Sequence, residues 1–259
     1  MAGAQDPVRR AADVLVARKN AVALTGAGIS IESGIPAFRG AQGLWERYDP
    51  MEYATIGAFI RDPAKVWSML SEMIDILAKA TPNSAHRGLA ELERAGILRC
   101  VITQNVDGLH QAAGSRNVIE FHGNAEELVC IACWRRYPSR EKIRDGIPPR
   151  CACGEILKPD LVLFGEPIPW IAQDGAEREA EQCRVLLVAG TSAEVFPACE
   201  IPRISKMGGA FVIEINPEET RLTRTVADIH IAATAGEAIS GLVAAVRQIG
   251  VDAEGPSRL

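Results

Sequence analysis

Ala21-Val22-Ala23-Leu24-Thr25-Gly26-Ala27-Gly28-Ile29-Ser30 decides the fold. The stretch 21–25 reads as a short strand buried on both faces, since an unalternating apolar run presents no face to water. It runs straight into Gly26 and Gly28. Glycines at such a turn let backbone N–H groups approach a diphosphate where a side chain would clash, and a helix starting there adds about half a positive charge. The pattern stops short of a full G-x-G-x-x-G, because Ile31 stands where the third glycine belongs. Alone, the turn suits a tight strand-to-helix connection as well as a phosphate cradle.

Working outward, apolar residues from Val8 to Val16 recur at helical spacing, and that helix ends near Lys19-Asn20. Pro36 and Gly40 punctuate a loop that continues from Gly43 to Met51. Asp62 and Pro63 open a helix as N-cap and first residue, with Val66, Trp67, Leu70, Met73, Ile74 and Leu77 as its core-facing stripe. Asn83 caps a further helix ending at Gly96. Buried strands are expected at 98–103, 118–121, 184–189, 210–215 and 229–232, with a brief strand or edge segment at 161–164. Helices are expected at 172–182, 197–207 and 236–249, and a loose tail after Gly250. Short apolar strands alternating with helices give an α/β fold, a doubly wound, Rossmann-like parallel sheet. Residues 130–158 break this rhythm with cysteines, prolines and charges, and read as an inserted module.

Ligands bind at strand C-termini in such sheets. Polar clusters fall at these ends: Thr103-Gln104-Asn105-Val106-Asp107-Gly108-Leu109-His110, Phe121-His122-Gly123-Asn124, Gly190-Thr191-Ser192 and Asn216-Pro217-Glu218. An amide, a carboxylate and an imidazole on short loops suit the holding of a ribose and the movement of a proton. Asn105 and Asp107 could also do no more than make an Asx-turn. His86 and His110 are read as structural residues, and His230 as a surface or core-edge residue.

The chain has 259 residues and a net charge of -5. An acidic chain is ill suited to tight nonspecific nucleic-acid binding, which needs clustered Lys and Arg. No apolar run is long enough to span a membrane, and the N-terminus carries no secretory pattern, so a cytoplasmic protein is expected. Of seven cysteines, Cys130, Cys133, Cys151 and Cys153 form two close pairs. Four thiolates in two knuckles suit a closed tetrahedral zinc site, although C-x-C is one residue tighter than the usual C-x-x-C. A redox disulfide is the lesser alternative.

The motifs Gly26-Ala-Gly-Ile-Ser30, Gly34-Ile-Pro-Ala-Phe-Arg-Gly40, Thr103 to His110, His122-Gly-Asn124, Phe164-Gly-Glu166, Gly190-Thr-Ser192 and Ile215-Asn-Pro217 occur in the order seen in sirtuins. From about Val14 to Val246 the chain resembles the compact catalytic core of microbial members of that family, the NAD-dependent protein lysine deacylases. The resemblance implies one catalytic domain over 1–250 and a loose tail at 251–259. Its NAD-binding lobe takes in about 8–40, 98–120 and 160–250. Its small lobe combines a helical insert (about 41–97) with a zinc module (about 124–158). It implies that NAD is consumed, with nicotinamide as leaving group and the acyl oxygen attacking the ribose.

By the same resemblance, His122 is the general base, assisted by Asn105 and Asp107. Gly26, Ala27, Gly28, Ser30, Ile35, Phe38, Arg39, Gln104, Asn105 and Asp107 surround the diphosphate and nicotinamide ribose. Gly190, Thr191, Ser192, Asn216 and Glu218 take the adenosine side. Val162 and Phe164 contact the acyl-lysine. The peptide lies as an added strand between Phe164-Gly165-Glu166 and Glu194-Val195. Zinc on the four cysteines is structural. Members that prefer acidic acyl groups carry a Tyr and an Arg where Leu70 and Met73 stand, so neutral acyl groups, acetyl or longer, are expected. A mono-ADP-ribosyltransferase and a non-catalytic NAD-binding adaptor are the competing readings.

Overall fold

The structure is a computed structural model that describes residues 6–37 and 43–254. Nine strands appear among the described residues: β1 Ala21–Thr25, β2 Leu98–Thr103, β3 Val118–Glu120, β4 Gly123–Cys130, β5 Arg136–Pro138, β6 Leu157–Leu161, β7 Val185–Ala189, β8 Phe211–Ile215 and β9 Ile229–Ile231. Six make a sheet in the order β3-β2-β1-β7-β8-β9, and every pairing in it is parallel. Every residue of β1 and β7 is buried, as two-sided coverage requires. The order reverses between β1 and β7. That crevice is where open α/β sheets bind ligands.

Two apolar layers enclose this sheet. On one face Ala11, Leu15, Leu89, Leu92, Ile239 and Leu242 pack with Ala23 and Val101. They come from the helices Pro7–Arg18, Ser84–Arg94 and Ala235–Glu254. On the other face Ala176, Ala180, Ile201 and Leu222 pack with Val22, Leu24 and Leu186. A third cluster forms the small lobe, where Phe59, Val66, Trp67 and Leu70 meet Leu128, Cys130 and Leu157. Its sheet, β5-β4-β6, is antiparallel. Trp67 is fully buried and its indole N–H donates to the Leu157 carbonyl at 2.8 Å. The helical insert is thereby fastened to the cysteine-bearing sheet with no buried polar atom left over at that ring.

Helix starts follow side-chain chemistry. The Asp62 carboxylate accepts the Lys65 N–H at 3.0 Å and opens the helix Pro63–Lys79. Asn83 accepts the Ala85 N–H at 2.9 Å and opens Ser84–Arg94.

Several sequence expectations are corrected. The expected strand over 161–164 lies earlier, at Leu157–Leu161, in the small sheet. Residues 162–164 instead cross between lobes, with Val162 N–H on the His122 carbonyl and Phe164 N–H on Ala54. The helix Ser84–Arg94, assigned to the helical insert by the 97 boundary, packs on the parallel sheet because its buried stripe matches that face. The loop 43–51 contains short helices at Leu44–Arg47 and Pro50–Tyr53, and a third, Ile56–Arg61, follows under a Thr55 cap. Four-residue helices are too short for periodicity to register. Strand β4 carries no alternating apolar pattern from which periodicity would predict it. The helix expected from 197 is a 3-10 turn until Ile201. The last helix runs to Glu254, past the Gly250 where a loose tail was expected. No helix among the described residues is long and apolar enough to cross a membrane.

Candidate active site

The C-terminal ends of β1 and β7 meet through glycines. Gly28 N–H donates to the Gly190 carbonyl at 2.8 Å. A Cβ on Gly28 would lie 2.7 Å from Gly190 Cα, and one on Gly190, where φ is +66°, would lie 2.3 Å from the Ile29 nitrogen. Side chains are excluded from both turns, and the backbone is left bare at the crevice floor. A short 3-10 helix, Ala27–Ser33, leaves this turn.

A cleft of about 910 Å³ opens above it, between the two lobes. Gly26, Ala27, Gly28, Gln104, Asn105 and His122 line one part; Gly190, Thr191, Ser192, Asn216 and Glu218 line another. Val162, Phe164, Gly165, Glu166 and Val195 form a further wall. The structure thus gathers most of the sequence-predicted residues around one space. Glu194 is exposed beside Val195 and is not among the lining residues. A smaller recess holds Ser30, Ile35 and Asp107, and shares Ala27, Leu44, Met73, Asn105 and Val106 with the main cleft. Phe38 and Arg39 lie outside the described residues.

Below the cleft runs a polar network. Gln104 Nε2 donates to Thr191 Oγ1 at 3.0 Å, which ties β2 to β7. Asn105 Nδ2 donates to the Gly26 carbonyl (3.2 Å) and to Ser30 Oγ (3.1 Å). Ser30 Oγ donates to Asp107 Oδ2 at 2.7 Å. Asp107 Oδ1 accepts the Leu109 N–H at 2.9 Å, so the Asx-turn exists alongside the tie to Ser30. Sequence reasoning did not connect His86 and His110 to this network. His86 Nε2 lies 3.4 Å from Ser30 Oγ, and His110 Nε2 is 2.9 Å from Thr25 Oγ1. Burial lowers their pKa values to about 4 and about 3 respectively, so both are neutral near pH 7. No local signal joins residues this far apart in the chain.

His122 differs from these two. Its Nδ1 is 3.0 Å from the Gln104 carbonyl, which can only accept, so the proton sits on Nδ1 and Nε2 keeps its lone pair. Burial pushes its pKa below the ordinary imidazole value, and the Gln104 hydrogen bond partly opposes this. Phe121, fully buried, meets the ring edge-on at 5.4 Å between centroids. A half-buried neutral imidazole in a cleft is a competent general base. His230 Nε2 is 2.9 Å from the Asn216 carbonyl and supports that strand end.

The apolar wall adds Trp45, Met69, Leu70 and Met73, none of them read as certain site residues from sequence. Among the described residues lining the cleft there is no Lys or Arg.

The four cysteines of the small sheet come together. Their sulfurs all lie within 4.8 Å of one another, with Cys130–Cys153 at 3.6 Å and Cys133–Cys151 at 3.5 Å. Tetrahedral zinc with Zn–S near 2.3 Å spaces its sulfurs by about 3.8 Å, so the donor set fits. Trp134 at φ 61° and Gly154 at φ 95° provide the sharp turns of the two knuckles.

Comparison with known proteins gives a consistent result. The Sir2 family profile matches residues 26–197. The chain is 48% identical over 238 residues to NAD-dependent protein deacylase 2 of Pyrobaculum aerophilum, covering 92% of this chain and 95% of the relative. It is similar to a solved Sir2 homolog–NAD complex, at TM-score 0.88 and 46% identity over 95% of each chain. It is also similar to Sir2Af2 bound to a myristoylated histone peptide, at TM-score 0.81 and 40% identity, covering 95% of this chain and 99% of the other.

Proposed function

The chain belongs to the Sir2 family and is an NAD-dependent protein deacylase, and we propose that it performs this reaction with His122 as general base on lysines bearing neutral acyl groups. The observation that carries the assignment is the Nδ1 hydrogen bond from His122 to Gln104 in the cleft between the lobes. It leaves Nε2 free to accept a proton. NAD supplies the electrophilic ribose carbon and the nicotinamide leaving group. Gly26, Ala27 and Gly28 present bare backbone to the diphosphate, and Thr191 and Ser192 offer hydroxyls. Asn216 and Glu218 receive the adenosine ribose. Asn105, fixed by Gly26 and Ser30, faces the nicotinamide ribose, and the recess lined by Ile35 and Asp107 takes the carboxamide. His122 then takes a proton from a ribose hydroxyl.

The acylated peptide enters as an added strand between Phe164-Gly165-Glu166 and Glu194-Val195. Phe164 already bonds Ala54 and Ile56 on one side through its N–H and C=O. Main-chain pairing of this kind demands little of the peptide sequence. Val162, Phe164 and the apolar wall receive the acyl chain. Cys130, Cys133, Cys151 and Cys153 hold structural zinc, which takes no part in the chemistry. Reduced metal-bound cysteines fit a cytoplasmic setting. The domain is a single catalytic unit of two lobes.

The deciding experiment is His122→Ala assayed with acetylated peptide and NAD. Turnover should fall roughly 10²- to 10⁴-fold, while NAD binding largely survives. Near wild-type deacylation would remove His122 from its role.

A further inference from the structure

Lys158 is a cation held almost out of water, with its side chain only 5% exposed. Its Nζ donates to the carbonyls of Pro159 at 3.1 Å and Leu161 at 2.5 Å, and lies 3.0 Å from Glu166 Oε2. Two backbone carbonyls take protons of this ammonium, and Glu166 supplies the opposite charge beside it. Glu166 Oε2 also accepts the Leu163 N–H at 2.8 Å. The chain from 159 to 166 is therefore gathered over one buried charge. It closes on a turn in which Glu166 N–H donates to the Leu163 carbonyl and Gly165 has φ 88°.

This gathered segment is a wall of the cleft. Leu161 through Glu166 line it, and Val162 N–H donates to the carbonyl of His122 at 2.9 Å. Lys158 lies on β6 of the small sheet and is not among the cleft-lining residues. A buried ion pair adds little net stability, because desolvation offsets the attraction, so stability alone does not account for it. It does fix where backbone groups point.

We propose that Lys158 is a positioning residue: through Glu166 it sets the Leu161–Glu166 wall in the shape that receives the acyl-lysine peptide. This rests on the deacylase reading and deepens it. Lys158 touches no reacting atom, so its effect falls on peptide recognition more than on NAD.

The test is steady-state kinetics of the full chain on acetyl-lysine peptide, with peptide and NAD varied separately. Lys158→Met and Glu166→Gln should each raise the peptide KM about tenfold or more, with a smaller fall in kcat. NAD affinity measured without peptide should move by less than about twofold. Lys158→Arg restores the cation and should recover most of the lost peptide affinity. The double variant should be little worse than either single one, since the two side chains act as a unit. If Lys158→Met does not fold, Lys158→Gln takes its place, because Lys158 lies outside the cleft lining whereas Glu166 lies along the peptide path itself. An unchanged peptide KM in the folded variants, additive losses in the double variant, or equal losses of NAD and peptide binding would overturn the proposal. A wild-type protein with no NAD-dependent deacetylation would instead overturn the functional reading.

Discussion

The imidazole of His122 is held by one backbone carbonyl, and its surroundings lower its pKa through burial. The sign of the consequence is fixed. The neutral ring is the base, so activity is complete above the lowered pKa and is lost as pH falls through it. The acid limb of kcat/KM should therefore have its midpoint below 6.5, the ordinary imidazole value. A pH–rate profile with a midpoint at or above that value contradicts the assignment. His86 and His110 are also neutral, but they sit beneath the cleft on Ser30 and Thr25 and line neither the cleft nor the recess. Sequence reading set these two apart from His122 by motif context, and structure adds the reason: only His122 is at the cleft surface.

At the scale of elements, the crossing of the turns after β1 and β7 leaves no room for a methyl group. Gly190→Ala would place Cβ 2.3 Å from the Ile29 nitrogen at a positive φ. The turns must move apart, and the bare backbone at the crevice floor moves with them. NAD affinity measured by titration should fall at least about tenfold, together with a loss of stability of about 1–3 kcal/mol. Wild-type affinity in this variant would show that the turn does not shape the cofactor site. The cysteine knuckles are the second element with a clear consequence. The third cluster is shared between the helical insert and the small sheet, so loss of metal should loosen both. One zinc per chain is expected by elemental analysis, and chelation should lower the melting temperature and abolish activity together. Metal-free protein with full activity would refute this.

Over the whole molecule, the two lobes enclose a cleft whose wall is apolar and whose described lining has no Lys or Arg. A carboxylate buried against these described residues would lack a cation, at a cost of several kcal/mol. Each methylene buried on that wall contributes about 0.8 kcal/mol. Acetyl-lysine and long neutral acyl-lysines should therefore be turned over, and succinyl-lysine at least about a hundredfold less efficiently in kcat/KM. A preference for succinyl-lysine in a panel of acylated peptides would exclude this. The sequence alone determined the parallel sheet, through unalternating apolar runs ending in polar clusters, and the cysteine quartet, through its spacing. These signals are local: each apolar run and each cysteine pair is written within a few consecutive residues. Tertiary structure alone decided that Ser84–Arg94 belongs with the sheet, that residues 157–161 join the small sheet, and that Lys158 reaches Glu166 beneath the cleft wall. Those outcomes depend on which buried surfaces and charges meet after the chain has folded, and separation along the chain carries no record of that meeting.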